Sequence, residues 1–319
     1  MTTRLLRTHI CLALTFMLVG AAAGEGITNA GKEFIVGFLK NGGSGETVQL
    51  HLTAPETTQV TVQYPVNSPT LETTVDVVAG DVTIVSLPVS AAAGWTNNTI
   101  GNNAVRAFSP TDDVFVCYMI NVKQYMSDAG LALPVNALNT EYILTTYASS
   151  DAEYLVVAPY DDTDVTITPH GGSDTVITLN RGEAYFGWPG SDATGTVISA
   201  SRPVAVTNGN SCTSIDDGAC DHIFEMAVPV AAWGTSSPVA NIPEDTTGTR
   251  YKIVASVDAT TVTKDGVSIG EIDRGEFIFT EKLPGDYIIG ADKPFFVTQF
   301  MDNRGDSGGD PIGDPAIGN

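Results

Sequence analysis

The chain has 319 residues, with 37 acidic against 15 basic side chains and a net charge of −22. So acidic a composition supplies no basic face for phosphate, which argues against nucleic acid as a partner and leaves cations or basic proteins better suited. Apolar and aromatic residues reach 43%, and 32 Gly with 17 Pro suit short strands joined by many turns.

Reading from the start, Arg4 and Arg7 precede an apolar run over residues 10–19, and Ala21, Ala22 and Ala23 follow. That order predicts a secretory signal over 1–23, cut near Gly24. The run is too short for a spanning helix, which needs roughly 18 apolar residues or more, and no later segment approaches that length. The expectation is an exported chain with no membrane span in its mature part. Losing the two arginines moves the mature charge to about −24.

Three stretches then repeat at a spacing near 95 residues. Val60-Thr61-Val62, Val165-Thr166-Ile167 and Val262-Thr263 are branched strand cores, each followed by a hairpin signal. The pairs Gly80-Asp81, Gly182-Glu183 and Gly275-Glu276 each open an apolar strand, and Val114-Phe115-Val116, Val204-Ala205-Val206 and Phe296-Val297 close each copy. The predicted units are 24–140, 141–235 and 236–301. In the second, strands are expected over 142–147, 154–158, 164–168, 175–179, 184–188, 195–200 and 203–208. Apolar residues alternate and helical periods are missing, so the fold class is all-β: tandem antiparallel β-sandwich, Ig-like modules. A propeller built from the same repeats is the alternative.

Between the units run two longer connections, 123–140 and 212–238. Leu133-Pro134-Val135 matches Val228-Pro229-Val230, so these segments are read as covers or fasteners between copies. After Met301 comes a Gly, Asp and Pro-rich tail over 302–319, where another such segment would be due.

Of the four cysteines, Cys11 leaves with the leader. Cys212 and Cys220 flank a turn-forming Asp216-Asp217-Gly218 and are expected to bond each other in an exported chain. Cys117 reads as a buried strand thiol, with a bond to another molecule as its alternative. Neither pattern has the ligand spacing of a zinc site. Asn97-Asn98-Thr99 is an N-glycan acceptor triplet, so Asn97 is expected in an exposed loop.

The block Asn208-Gly209-Asn210-Ser211-Cys212, then Cys220-Asp221-His222 with Glu225, then Pro229 and Trp233-Gly234, resembles the N-terminal domain family of IgGFc-binding protein. Similarity continues through residues 251–258, Gly275-Glu276, Asp292-Lys293-Pro294 and Val297-Thr298-Gln299-Phe300, so that it runs from about Gly31 to the end. The resemblance implies secreted or surface-exposed β-rich proteins that bind other macromolecules. It also implies that Asn208, Asn210, Asp221, His222, Glu225 and Trp233 form a binding or structural loop.

Chemistry offers rivals to that reading. His222 with Asp221 and Glu225 could be a metal set or an acid and base pair, but one His without converging partners favours hydrogen bonds that hold a disulfide-closed loop. No Ser sits in a nucleophile elbow, and abundant carboxylates carry no weight in a chain with 37 acids. Asp161, Asp162 and Asp164 crowd one turn and are the best calcium candidates, though no EF-hand loop is present. No cofactor is expected. The function read from the sequence is a non-enzymatic binding or adhesion protein for an extracellular protein or glycoprotein, with a structural role in matrix, mucus or envelope as the alternative.

Overall fold

Alternating burial along each strand organises the molecule: in Thr47–Thr53, Val48, Leu50 and Leu52 are buried, whereas Gln49 and His51 look outward. The computed structural model describes residues 28–42, 45–215, 220–242 and 248–301, with the backbone of one strand at Ala316–Gly318. The leader 1–23, Asp216-Asp217, and the tail apart from that strand lie outside the described residues.

One pairing scheme occurs three times. In the first, Thr47–Thr53 lies between Thr83–Leu87 and Phe115–Lys123. Facing it, Thr58–Tyr64 lies between Leu71–Val77 and Val105–Phe108, and Glu33–Val36 flanks the latter. The second set has Ala152–Val157 between Ala184–Gly187 and Val197–Thr213. Its facing hairpin is Thr163–Thr168 with Thr175–Leu179, and Asn139–Ile143 takes the flanking place. In the third, Arg250–Ala255 lies between Phe277–Phe279 and Tyr287–Met301, with the hairpin Thr260–Lys264 and Val267–Ile272 and the flanking strand Gly234–Val239. All pairs are antiparallel, and each set closes two layers over an apolar core, the first of which runs on into the second set, so the architecture is sandwich-like and propeller blades are not needed.

Two expectations need correction. Residues 195–200 and 203–208 are not separate strands but parts of Val197–Thr213, which serves both layers of its sandwich. Arg202 and Pro203 fall at the crossing, where the ladder with Asn139–Ile143 shifts register, so the missing proline N–H costs no rung. The connections 123–140 and 212–238 are also not mere covers. Each contains a strand, Met126–Leu131 and Asp221–Met226, before a short 3-10 turn at Val135–Ala137 or Val230–Ala232.

The Gly-acid pairs owe their recurrence to backbone geometry. Gly80, Gly182 and Gly275 have φ of 78°, 79° and 79°, a left-handed conformation that a side chain resists. Each donates its N–H to the carbonyl of Ala54, Ala158 or Ala255, so the turn is locked onto the preceding strand.

Successive units meet through matching residues. Arg181, just before Gly182, donates to Glu33 of the first unit at 2.8 Å, and Arg274, just before Gly275, pairs with Glu141 of the second. Gly37 is packed so closely under Leu155 and Val157 that a Cβ there would lie 3.0 and 3.1 Å from their methyls. The first unit also lends the strand Thr99–Gly101 to the edge of the second sheet, beside Ala184–Gly187. Trp95, anchored by its indole N–H on Phe38 O at 2.8 Å, stacks on Phe186 there.

Candidate binding surface and the Cys212–Cys220 block

Asn208 and Asn210 end the long strand Val197–Thr213 with side chains turned into the second sandwich. Asn208 Oδ1 accepts the Thr145 N–H at 3.2 Å. Asn210 Oδ1 accepts the Tyr147 N–H at 2.9 Å while its amide donates to Tyr147 O and Ser149 Oγ. These two amides therefore act as main-chain surrogates for the segment after Asn139–Ile143, where the ladder has stopped. The disulfide Cys212–Cys220, with Cα atoms 5.2 Å apart, then returns the chain as Asp221–Met226 alongside the same strand.

His222 is wholly buried. Its ring stacks on Phe224 at 5.2 Å between centroids, and Nδ1 donates to the Asn210 carbonyl at 3.1 Å. Burial lowers its pKa to about 4, which the carbonyls of Asn210 and Ser211 only partly oppose. A neutral, enclosed imidazole is a packing group here. Asp221 Oδ1 accepts the His222 N–H at 2.7 Å. Trp233 donates its indole N–H to Val228 O and stacks on Phe296 at 5.2 Å, tying the second unit to the third. Asn208, Asn210, Asp221, His222 and Trp233 are all buried and Glu225 is half-buried, so this block offers a ligand almost no side-chain surface.

Two acids at this junction are perturbed. Asp128, on Met126–Leu131 of the first unit, accepts the Phe224 N–H at 2.8 Å across the seam with Asp221–Met226. Burial raises its pKa to about 7, with the Phe224 and Ala129 N–H groups pulling the other way. Glu225 is raised to about 8, first by burial and then by the charge of Asp128. A third acid, Glu153, is fully buried against the first unit and its pKa stands well above the carboxylate range, with burial outweighing the nearby Lys40 charge. Asp128 and Glu153 carried no sequence signal, because each looks like one more acid in an acidic, alternating strand.

The calcium candidates do not converge. Asp161 Oδ1 accepts the Arg181 N–H at 3.0 Å, Asp164 Oδ1 accepts the Thr178 hydroxyl at 2.6 Å, and Asp162 sits at φ 50° within the turn. Among the described residues, no three His, Cys, Asp or Glu side chains stand so as to hold a metal. Asn97 is exposed and accepts the Lys40 ammonium at 2.9 Å. Cys117 lies in the core of the first sandwich with its thiol pKa pushed up by burial, so it is not placed to bond another molecule. Among the described residues, no helix is long and apolar enough to cross a membrane.

With this geometry in hand, the comparisons are specific. The family model described as IgGFc binding protein matches residues 128–319. The chain is 28% identical to the human IgGFc-binding protein over 187 residues, which is 54% of this chain and 3% of that protein, so it spans only a small part of the relative's length. No solved structure matches. The resemblance traced from about Gly31 is matched by the family model from residue 128 onward, and residues 31–127 lie outside that match. The chain belongs to the IgGFc-binding protein family.

Proposed function

We propose that this chain is a non-enzymatic extracellular binding protein whose three sandwich modules, 24–140, 141–235 and 236–301, form a stiff support for contacts with a protein or glycoprotein. Membership of a family named for binding IgG Fc supports this reading. The observation that carries it is the burial of the block most specific to that family. Its His and acids are used inside the fold, where His222 is neutral and enclosed, so they serve architecture and not turnover. Contacts then fall to exposed turns, such as the loop carrying Asn97 and the one carrying Asp161 and Asp162.

Immobilised IgG Fc, the ligand in the relative's name, is the first probe, followed by an array of extracellular glycoproteins, read by biolayer interferometry. The expected result is saturable binding that survives His222→Gln in a variant that melts cooperatively. Hydrolysis of a peptide or glycan substrate that disappears in His222→Ala would overturn the proposal.

A further inference from the structure

The two internal junctions use the same pair of faces, and each face occurs once more without a partner among the described residues. The donating face is the outward side of the Arg250–Ala255 type of sheet. Four residues after the left-handed glycine stands an apolar side chain: Phe186 in the second unit, Phe279 in the third. Each sits on one rung with a second docking residue, Phe186 with Leu155 and Phe279 with Lys252. Phe186 stacks on Trp95 of the first unit, and Phe279 meets Tyr147 of the second edge-on at 5.8 Å. In the first unit the same rung is Ile84 with His51, and no described residue covers it: Ile84 is 53% exposed, Val82 61% and Tyr118 39%.

The receiving face is the outward side of the flanking strand. Ile35 and Ile143 are buried there under the next unit, and two residues earlier Glu33 and Glu141 take the arginines. In the third unit the corresponding residues are Ser236 and Pro238. Pro238 pairs with Ile288, which is 49% exposed, and both border an open depression of about 440 Å³ that Asp265 and Asp286 also line.

We propose that these two open faces dock on each other between copies of this chain, so that the first unit of one copy seats on the third unit of another in a head-to-tail contact. Continuity with two existing junctions supplies the geometry, since the contact repeats a packing the chain already makes twice. The charges agree as well. At the free ends Ala79 stands where Arg181 and Arg274 stand, and Ser236 where Glu33 and Glu141 stand, so the contact lacks both members of that ion pair and strands neither. His51 occupies the place of Lys252 and comes to the end that bears Asp286. Because the two faces differ, the association is heterologous and propagates instead of closing as a two-fold dimer. It does not depend on ligand binding, which a strictly monomeric chain could still perform.

Sedimentation equilibrium and light scattering of the purified chain over a range of concentrations test this. The average mass should rise about twofold or more with concentration. Ile84→Asp and Ile288→Asp, both at exposed positions and checked for an unchanged melting midpoint, should each sediment at the protomer mass. Mixed in equal amounts, they should form a dimer that grows no further, because one brings an intact receiving face and the other an intact donating face. Protomer mass for the wild type at every concentration would overturn the proposal, as would single variants that assemble like the wild type, or well-folded variants that stay apart when mixed.

Discussion

Lys252 of the third unit is wholly buried and drives its ammonium into the second, where it meets Asp192 Oδ2 at 2.6 Å, Thr146 O at 2.6 Å and Thr194 Oγ1 at 2.9 Å. Phe277 and Phe279 present their rings 4.7 and 5.4 Å from the same Nζ. All three N–H donors are used, which is the condition under which a buried charge is tolerable. Burial depresses the lysine pKa while Asp192 raises it, and the net direction is downward.

Removing that ammonium should be costly. Lys252→Ala leaves the Asp192 carboxylate facing an emptied apolar pocket, and a loss of about 3 kcal/mol is expected, at the low end for a buried pair because Asp192 keeps some solvent contact. Urea unfolding followed by the fluorescence of Trp233, which stands at this junction, reports it. Adding Asp192→Asn to the same chain should recover part of the loss, since the stranded charge is then gone.

A second test concerns the close contact beside that lysine. Gly195 has φ 83°, and a Cβ there would fall 2.2 Å from the carbonyl oxygen of Gly275 in the next unit. Gly195→Ala should therefore combine left-handed strain of about 1–2 kcal/mol with displacement of the junction. Limited proteolysis should then release the third unit faster than in the wild type. Gly171→Ala is the control, because it shares the positive φ but has nothing within 4 Å of its Cβ.

The disulfide closes a short loop, its cysteines lying eight positions apart in the chain. Replacing both Cys212 and Cys220 with Ser should lower stability by roughly 2–3 kcal/mol, the loop-entropy value for that length. Differential scanning calorimetry reads the change. No change in melting would mean that the neighbouring ladder alone fixes the loop.

Stability should also depend on pH through the Asp128 and Glu225 seam. Their folded pKa values, about 7 and about 8, exceed the ordinary 3.8 and 4.5. Stability from these groups is thus full below the unfolded values and is lost as pH rises towards the folded ones. His222 acts oppositely: with its pKa lowered from 6.5 to about 4, its contribution is present above 6.5 and is lost as pH falls towards 4. An Asp128→Asn, Glu225→Gln chain should lose part of the decline in melting midpoint from pH 5 to pH 8, with buried Glu153 supplying the rest, and keep the acid-side loss. A wild-type midpoint that climbs across that range would contradict the assignment.

Much of the fold was legible because its signals are local. Alternation along Val165-Thr166-Ile167 reports one buried face, and Gly182-Glu183 reports a turn that needs positive φ, so both survive in the residues themselves. The disulfide was legible for the same reason, since Cys212 and Cys220 lie near each other along the chain. The passage of Val197–Thr213 between layers was not, because Pro203 reads locally as a break and only pairing with two neighbours shows the strand continuing. Nor was the enclosure of His222 visible: a polar segment rich in Asn, Ser and Asp looks exposed until the first unit is laid over it.

By itself, then, the sequence determined a β-rich chain of repeated units, their turns and a local cross-link, because short-range sterics and periodicity act within a few residues of the chain. Only the tertiary structure decided that Glu33 meets Arg181, that Glu141 meets Arg274 and that Lys252 reaches Asp192. The physical reason is that a charge owes its partner, burial and protonation to groups brought beside it by packing, and those groups stand 148, 133 and 60 residues away in the chain.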